Sequence, residues 1–344
     1  MRHGHIIILV LMMAMVAVPS LVWNRPYPIS SPDTLNHIEH AGNNYWVYPA
    51  EALSIIPIKF SAILGISAER AFLWFDVLVL MLAAIAIYLL MTRLVNRWAG
   101  VMAVMLVFFC TVGIANLFRS GTIFDIVNTC IVLPLGILML VTWIVEHRNW
   151  QLALTFILFT AYSALHPSAV YLAPTLLLVS MMLFISSKYR NIRTILPILV
   201  MLAVSITMIA TGYMYLLGKI SIPIGYAVNY IEFFTVFVKI ALLILLGFGI
   251  IYIVLAKVIM PEKAKVLLMV LLCLSAVLFV LTFVQFSADP GRQGYTLATA
   301  LALVTACLLG VIVKHRKELS PILMAVAVIG SIPVARAWLL GIGV

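Results

Sequence analysis

Apolar runs of roughly 16 to 24 residues recur along the chain, each closed by a short polar stretch. The recurrence predicts a ladder of helices, since about 20 apolar residues suffice to cross a bilayer. Placed by these runs, helices are expected at about 5–23, 70–92, 98–117, 126–146, 150–165, 168–187, 194–217, 235–256, 266–286, 296–313 and 321–343, eleven in all. The runs are too long and too continuous for the alternating strands of a membrane barrel. One stretch, Gln151 to Ser186, exceeds a single span. His166-Pro167-Ser168 interrupts it, because proline disfavours helical geometry in the residue before it, and a tight hairpin with the histidine at its tip is expected. The first run, Ile6 to Trp23, is longer than the ~7–15-residue apolar region of a signal peptide and reads as a retained first helix.

Composition agrees. Mean hydropathy is +1.21, 65% of residues are hydrophobic and 9% are charged, more apolar surface than a water-soluble core can use. The fold class is therefore all-α, a polytopic transmembrane helical bundle of about 11 helices in a single domain over residues 1–344. Cys110, Cys130, Cys273 and Cys307 all fall inside apolar runs without metal-ligand spacing and read as small buried hydrophobes.

The net charge of +10 changes the picture only through its placement. The basic residues are scattered over short loops, which is a topology signal and excludes nucleic acid as a partner. With the N-terminus in the cytoplasm, the inner turns hold 13 Lys and Arg and the outer loops 6, while Lys239 and Arg336 fall within spans. Cytoplasmic loops are normally the richer ones, so a cell-membrane protein with this orientation is expected. Seven carboxylates, Asp33, Glu39, Glu51, Glu69, Asp125, Glu232 and Asp289, then lie on or near the outer side. Asp76 is the one acid embedded in a strongly apolar segment. No inverted repeat with matching Gly/Pro interruptions is visible, and no intramembrane carboxylate chain suggests a proton relay. Polar investment is on the outer face, and function is expected there.

The outer stretch "PISSPDTLNHIEHAGNNYWVYPAE" (Pro28 to Glu51) carries the densest titratable chemistry. Ser31-Pro32 reads as a helix start, with serine as N-cap and proline at the first position. Asp33, His37 and His40 then fall at i, i+4 and i+7 and share one face. Such a face admits three readings. Asp33 can accept a proton from an attacking hydroxyl, with His37 orienting it. The three residues can form a two-histidine, one-carboxylate set for a divalent metal. Or the helix is simply a solvated juxtamembrane element. The following "YWVYPAEALSIIPIKFSAIL" (Tyr45 to Leu64) reads as a helix lying in the interface. Arg119 in "NLFRSGTIFDIVN" can fork onto a phosphate, snorkel, or pair with Asp125. Arg292 in "DPGRQGY" is similar, and His166 can donate to a phosphate oxygen or satisfy local backbone.

Taken together, these residues resemble a family. The first outer loop with its short-helix acid, the "YP" before a re-entering helix, the basic turn "TRLVNRWAG", the "NLFRSGTIFDIVN" segment and the "HPS" hairpin are similar to the polyprenyl-phosphate-dependent glycosyltransferases of the GT-C superfamily. The resemblance covers residues 5–190, a GT-C-like core, with 191–344 as additional helices and no soluble C-terminal domain expected. It implies a polyprenyl-phosphate sugar donor taken from the bilayer and a glycan, lipid or protein acceptor on the outer face. It places Asp33 at the position of the catalytic acid, Arg119 in a donor phosphate-binding loop, and His166 and Arg292 there by location. Asp33 is followed by Thr34 and Leu35, so a paired acid motif for a metal is missing, and no cofactor is expected. The alternative is a non-enzymatic component: a lipid-linked glycan transporter, an assembly subunit, or a degenerate relative acting with a partner subunit.

Overall fold

The computed structural model describes residues 4–22, 35–36, 38–39, 53–111, 123–165, 167–217, 239–283 and 290–340. Twelve helices stand in the described residues: α1 (Gly4–Val22), α2 (Ile55–Leu64), α3 (Ala68–Leu94), α4 (Arg97–Phe109), α5, α6 (Asn149–Leu165), α7 (Leu172–Ile185), α8 (Ile192–Leu217), α9 (Ile240–Leu255), α10 (Glu262–Phe283), α11 (Pro290–His315) and α12 (Ser320–Leu340). Helix α5 is composite, Ile123–Ile126 followed by a π-helical turn, Val127–Val132, and then Leu133–Glu146. Six helices are long and apolar enough to cross a membrane, and further apolar helices are shorter. Each predicted span has its helix, and α2 falls inside the expected interfacial segment.

The two ends of the bundle differ. At the short-turn end, consecutive helices are joined by a few residues, as between Leu94 and Arg97 or Glu146 and Asn149. At the long-loop end lie the connections between α1 and α3, α4 and α5, α8 and α9, and α10 and α11.

Local signals explain the helix boundaries. Ser67 begins α3 from an extended conformation, and its side chain accepts the Arg70 N–H at 3.3 Å. Glu69 in the first turn and Arg93 in the last complement the helix dipole. Asn96 begins α4 in the same way, accepting the Ala99 N–H at 2.8 Å, while its Nδ2 donates to the Gly310 carbonyl of α11 at 2.7 Å. One side chain thus caps one helix and anchors another. Gly65, at φ 64°, closes α2 in the left-handed region that favours glycine.

Helices α4 and α11 form the centre. In α11, 94% of the spanning window is buried inside the protein, against 22% for α8 and α12, which sit at the periphery. The α4–α11 crossing is close because it is lined by small residues: a Cβ at Gly310 would stand 2.5 Å from the Ala99 Cβ. Between membrane helices, where lipid tails offer no hydrophobic contrast, such close approach supplies packing energy. All four cysteines are free and buried, as expected.

The short-turn end is fastened by charge. Glu146 meets Lys263 at 2.5 Å and Arg148 at 3.3 Å, and accepts from Gln151 at 2.8 Å. Lys188 pairs with Glu262 at 2.9 Å, and the Tyr189 hydroxyl donates to the same carboxylate. The α5–α6 and α7–α8 turns are therefore both tied to the start of α10.

Candidate functional site at the long-loop end

Of the residues singled out from the sequence, Asp33, His37, His40, Arg119 and His166 lie outside the described residues. Leu35, Asn36, Ile38 and Glu39 have helical backbone, with Leu35, Asn36 and Glu39 exposed. Arg292 is on the first turn of α11. Among the described residues, no group of three His, Cys, Asp or Glu is placed to hold a metal ion.

What the described residues bring together is a buried polar cluster near the long-loop end of the bundle. Asp125 is on the first turn of α5 and only 3% exposed. Its main-chain carbonyl accepts from Thr129 Oγ1 at 2.5 Å. Asn128 Nδ2 reaches across to the main-chain carbonyl of Tyr162 at 3.4 Å, joining α5 to α6. Tyr162 and Tyr171 are both fully buried, their rings edge to face with centroids 5.9 Å apart. Thr296 of α11 and Asp125 lie in the neighbourhood of the two phenols, whose hydroxyl oxygens are both buried with no hydrogen-bond partner.

The break in the α6–α7 run is what makes this possible. Pro167 cannot continue α6, and Pro167–Tyr171 form a 3₁₀ turn before α7 begins. The chain reverses there, setting Tyr171 against Tyr162 from the preceding helix. Sequence reading did not single out these tyrosines. Their proximity to Asp125 and Thr296 joins chain positions more than 100 residues apart, which no local pattern encodes.

Arg292 precedes Thr296 by one helical turn, about 6 Å along the axis.

Other buried polar atoms gather at the same end. Ser54 Oγ, Asp76 Oδ1, Ser163 Oγ and Thr282 Oγ1 are buried with no hydrogen-bond partner. Asp76 is 1% exposed. It lies on α3 opposite the outward stripe of Trp74, Leu78, Met81, Leu82 and Ile85, so it points at the bundle interior. Asp76 stands 18 residues before the end of α3, and Asn128 18 before the end of α5. The two helices run in the same direction, and α3 packs on the π-helical turn of α5, which puts Asp76 at about the depth of that turn. Ionisable groups inside a membrane are costly and mark function more often than packing. π turns too are frequent at functional sites.

No protein-family model and no curated protein sequence matches the chain. Solved structures do. A crystal structure of the Archaeoglobus fulgidus oligosaccharyltransferase, tethered through a disulfide bond to an acceptor peptide containing the NVT sequon, superposes with a TM-score of 0.64 at 13% identity, covering 98% of this chain and 55% of that one. A crystal structure of the same enzyme in complex with Zn and sulfate gives 0.60 at 16% identity, over 96% and 52%. The chain spans about half the length of these neighbours. Its fold is similar to the helical bundle of that oligosaccharyltransferase.

Proposed function

We propose that the protein is a membrane glycosyltransferase that moves a sugar from a polyprenyl-phosphate-linked donor to an acceptor on the outer face of the cell membrane. The observation that carries this reading is the oligosaccharyltransferase-like fold over 98% of the chain. The gathering of buried polar groups at the long-loop end supports it further. In this reading the short-turn end, with its Lys and Arg, faces the cytoplasm.

The donor's polyprenyl tail lies in the bilayer against the bundle, and its phosphate is held by Arg119, His166 and Arg292. Asp33 takes the proton from an acceptor hydroxyl, with His37 orienting the carboxylate. The acceptor oxygen bonds to the anomeric carbon as the bond from that carbon to the phosphate oxygen breaks. The electron pair leaves with the phosphate, whose growing charge the cations stabilise. Such a departure needs charge compensation more than a proton, which suits arginine.

The neighbouring oligosaccharyltransferase is described with Zn. On this chain the carboxylate–imidazole set Asp33, His37 and His40 has the donor chemistry for a divalent cation. No described set fits one, and no step above requires it.

The test is transfer itself. Purified protein in proteoliposomes, given a polyprenyl-phosphate sugar and an acceptor, is expected to release polyprenyl phosphate, and Asp33→Asn to abolish release while the protein stays folded. Movement of intact lipid-linked sugar across the bilayer without bond cleavage would instead make the protein a transporter.

A further inference from the structure

The α7–α8 turn is fastened on one side and open on the other. Lys188 and Tyr189 are both held on the Glu262 carboxylate of α10. The backbone is fixed as well: the Ser186 carbonyl accepts the N–H groups of Tyr189 and Arg190 at 3.1 and 3.0 Å, and Asn191 Oδ1 accepts the Arg193 N–H at 2.9 Å. Arg190 and Arg193 are exposed. The Arg190 guanidinium lies over the ring of Phe184, 4.7 Å from its centroid, and that ring is itself exposed. Neither arginine has an ion pair among the described residues. Glu146, Glu262 and Glu318 are the described carboxylates of the short-turn end, and each already holds a lysine or arginine.

The surroundings of these two cations are apolar. Met181, Phe184 and Ile185 of α7 and Ile192, Leu196 and Leu199 of α8 are exposed, at spacings that set each trio on one helix face. Helix α8 is peripheral, with 22% of its spanning window buried. Hydrocarbon-facing surface therefore runs up to uncompensated positive charge. An arginine that only snorkelled would extend into water. Arg190 is instead laid on a lipid-facing ring, which leaves the N–H groups at its edge available as a fork. Three residues apart, the two arginine Cα atoms stand within about 11 Å of each other, close enough for both side chains to reach one phosphate.

We propose that Arg190 and Arg193, beside the ring of Phe184, bind the phosphate of an anionic phospholipid in the leaflet at the short-turn end, with its hydrocarbon along the stripes of α7 and α8. Charge complementarity selects this occupant: cations above an apolar floor match a molecule that joins an anion to hydrocarbon. A zwitterionic headgroup would bring its own cation against the arginines. The site is at the opposite end of the bundle from the buried polar cluster, and the inference does not depend on sugar transfer.

The test uses the purified full chain in mild detergent, with bound lipid counted by native mass spectrometry. Phosphatidylglycerol is expected to bind roughly tenfold more tightly than phosphatidylcholine. Arg190→Gln/Arg193→Gln is expected to bring the two lipids to within about twofold of each other, with the melting temperature unchanged because neither side chain is ion-paired. Arg190→Lys/Arg193→Lys keeps both charges but loses the fork. It is expected to fall between the two, and decides the matter if the glutamine variant does not fold. Lys257→Gln/Lys265→Gln removes the same charge at the α9–α10 turn and is expected to keep the wild-type preference. An equal loss in the two glutamine variants overturns the proposal, since positive charge anywhere at this end would then suffice. So does a wild type that binds both lipids alike. Displacement of phosphatidylglycerol by inorganic phosphate would make this a site for a free anion. Tighter binding of polyprenyl phosphate at the same arginines would make it a donor site. Either result overturns the proposal as well.

Discussion

Tyr162 and Tyr171 meet edge to face, ring centroids 5.9 Å apart and planes at 63°, across the proline break that ends α6. Tyr162 is on α6 and Tyr171 closes the 3₁₀ turn that follows, so the pair joins the two sides of the α6–α7 return. Aromatic pairs in this arrangement are worth about 0.5–1.5 kcal/mol beyond the area they bury. A double-mutant cycle with Tyr162→Leu and Tyr171→Leu is expected to give a coupling energy in that range by thermal or denaturant unfolding in detergent. Additive effects would mean the rings are neighbours only in passing.

Asp76 makes the opposite kind of prediction. Its buried Oδ1 has no hydrogen-bond partner, and replacing such a group by an apolar residue of similar volume removes a desolvation cost. Asp76→Leu is expected to raise the melting temperature by several degrees, on the order of 1–3 kcal/mol. If the same variant also loses transfer, the acid is retained for function at the expense of stability. A lower melting temperature would mean that the carboxylate holds the bundle together.

Gly310 is expected to tolerate no side chain. An added Cβ meets the Ala99 Cβ at 2.5 Å and Val95 Cγ1 at 3.0 Å, so α4 and α11 must separate at the centre of the bundle. Gly310→Ala is expected to cost about 1–3 kcal/mol, and the Asn96 bond to the Gly310 carbonyl would lengthen with it. Gly247 on α9 has nothing within 4 Å of its added Cβ, so Gly247→Ala, measured by the same unfolding assay, is expected to match or exceed the wild type.

The Glu146–Lys263 pair is half-shielded, with side-chain exposures of 25% and 34%. Lys263→Met is expected to cost about 0.2–1 kcal/mol. The loss should be smaller at high salt, because the pair lies at the aqueous edge of the bundle and is screened. A salt-independent loss would point to packing of the lysine stem.

Much of this was legible in the chain. Apolar runs located eleven of the twelve helices, six of them long and apolar enough to cross a membrane, and Pro167 announced the reversal after Leu165. Helix α5 was placed late, starting at 126 where the structure starts at Ile123, because Asp125 reads locally as a loop acid. It is buried instead, inside the first turn. The tyrosine pair was invisible for a different reason. Aromatic residues in apolar helices are ordinarily core, and only tertiary placement beside Asp125 and Thr296 separates these two from the rest. Asp76 stood out from the sequence alone, since a charge among apolar neighbours needs no fold to be conspicuous.

The π-helical turn at Val127–Val132 has a consequence for the whole of α5. Such a turn accommodates one residue more than a regular helix would, which offsets the two halves by roughly 100° about the axis. Asp125 can thus face the tyrosines while Glu146, at the far end, faces Lys263, each half obeying its own neighbours. Deleting a single residue there would restore an unbroken spiral and force one half to surrender its partners.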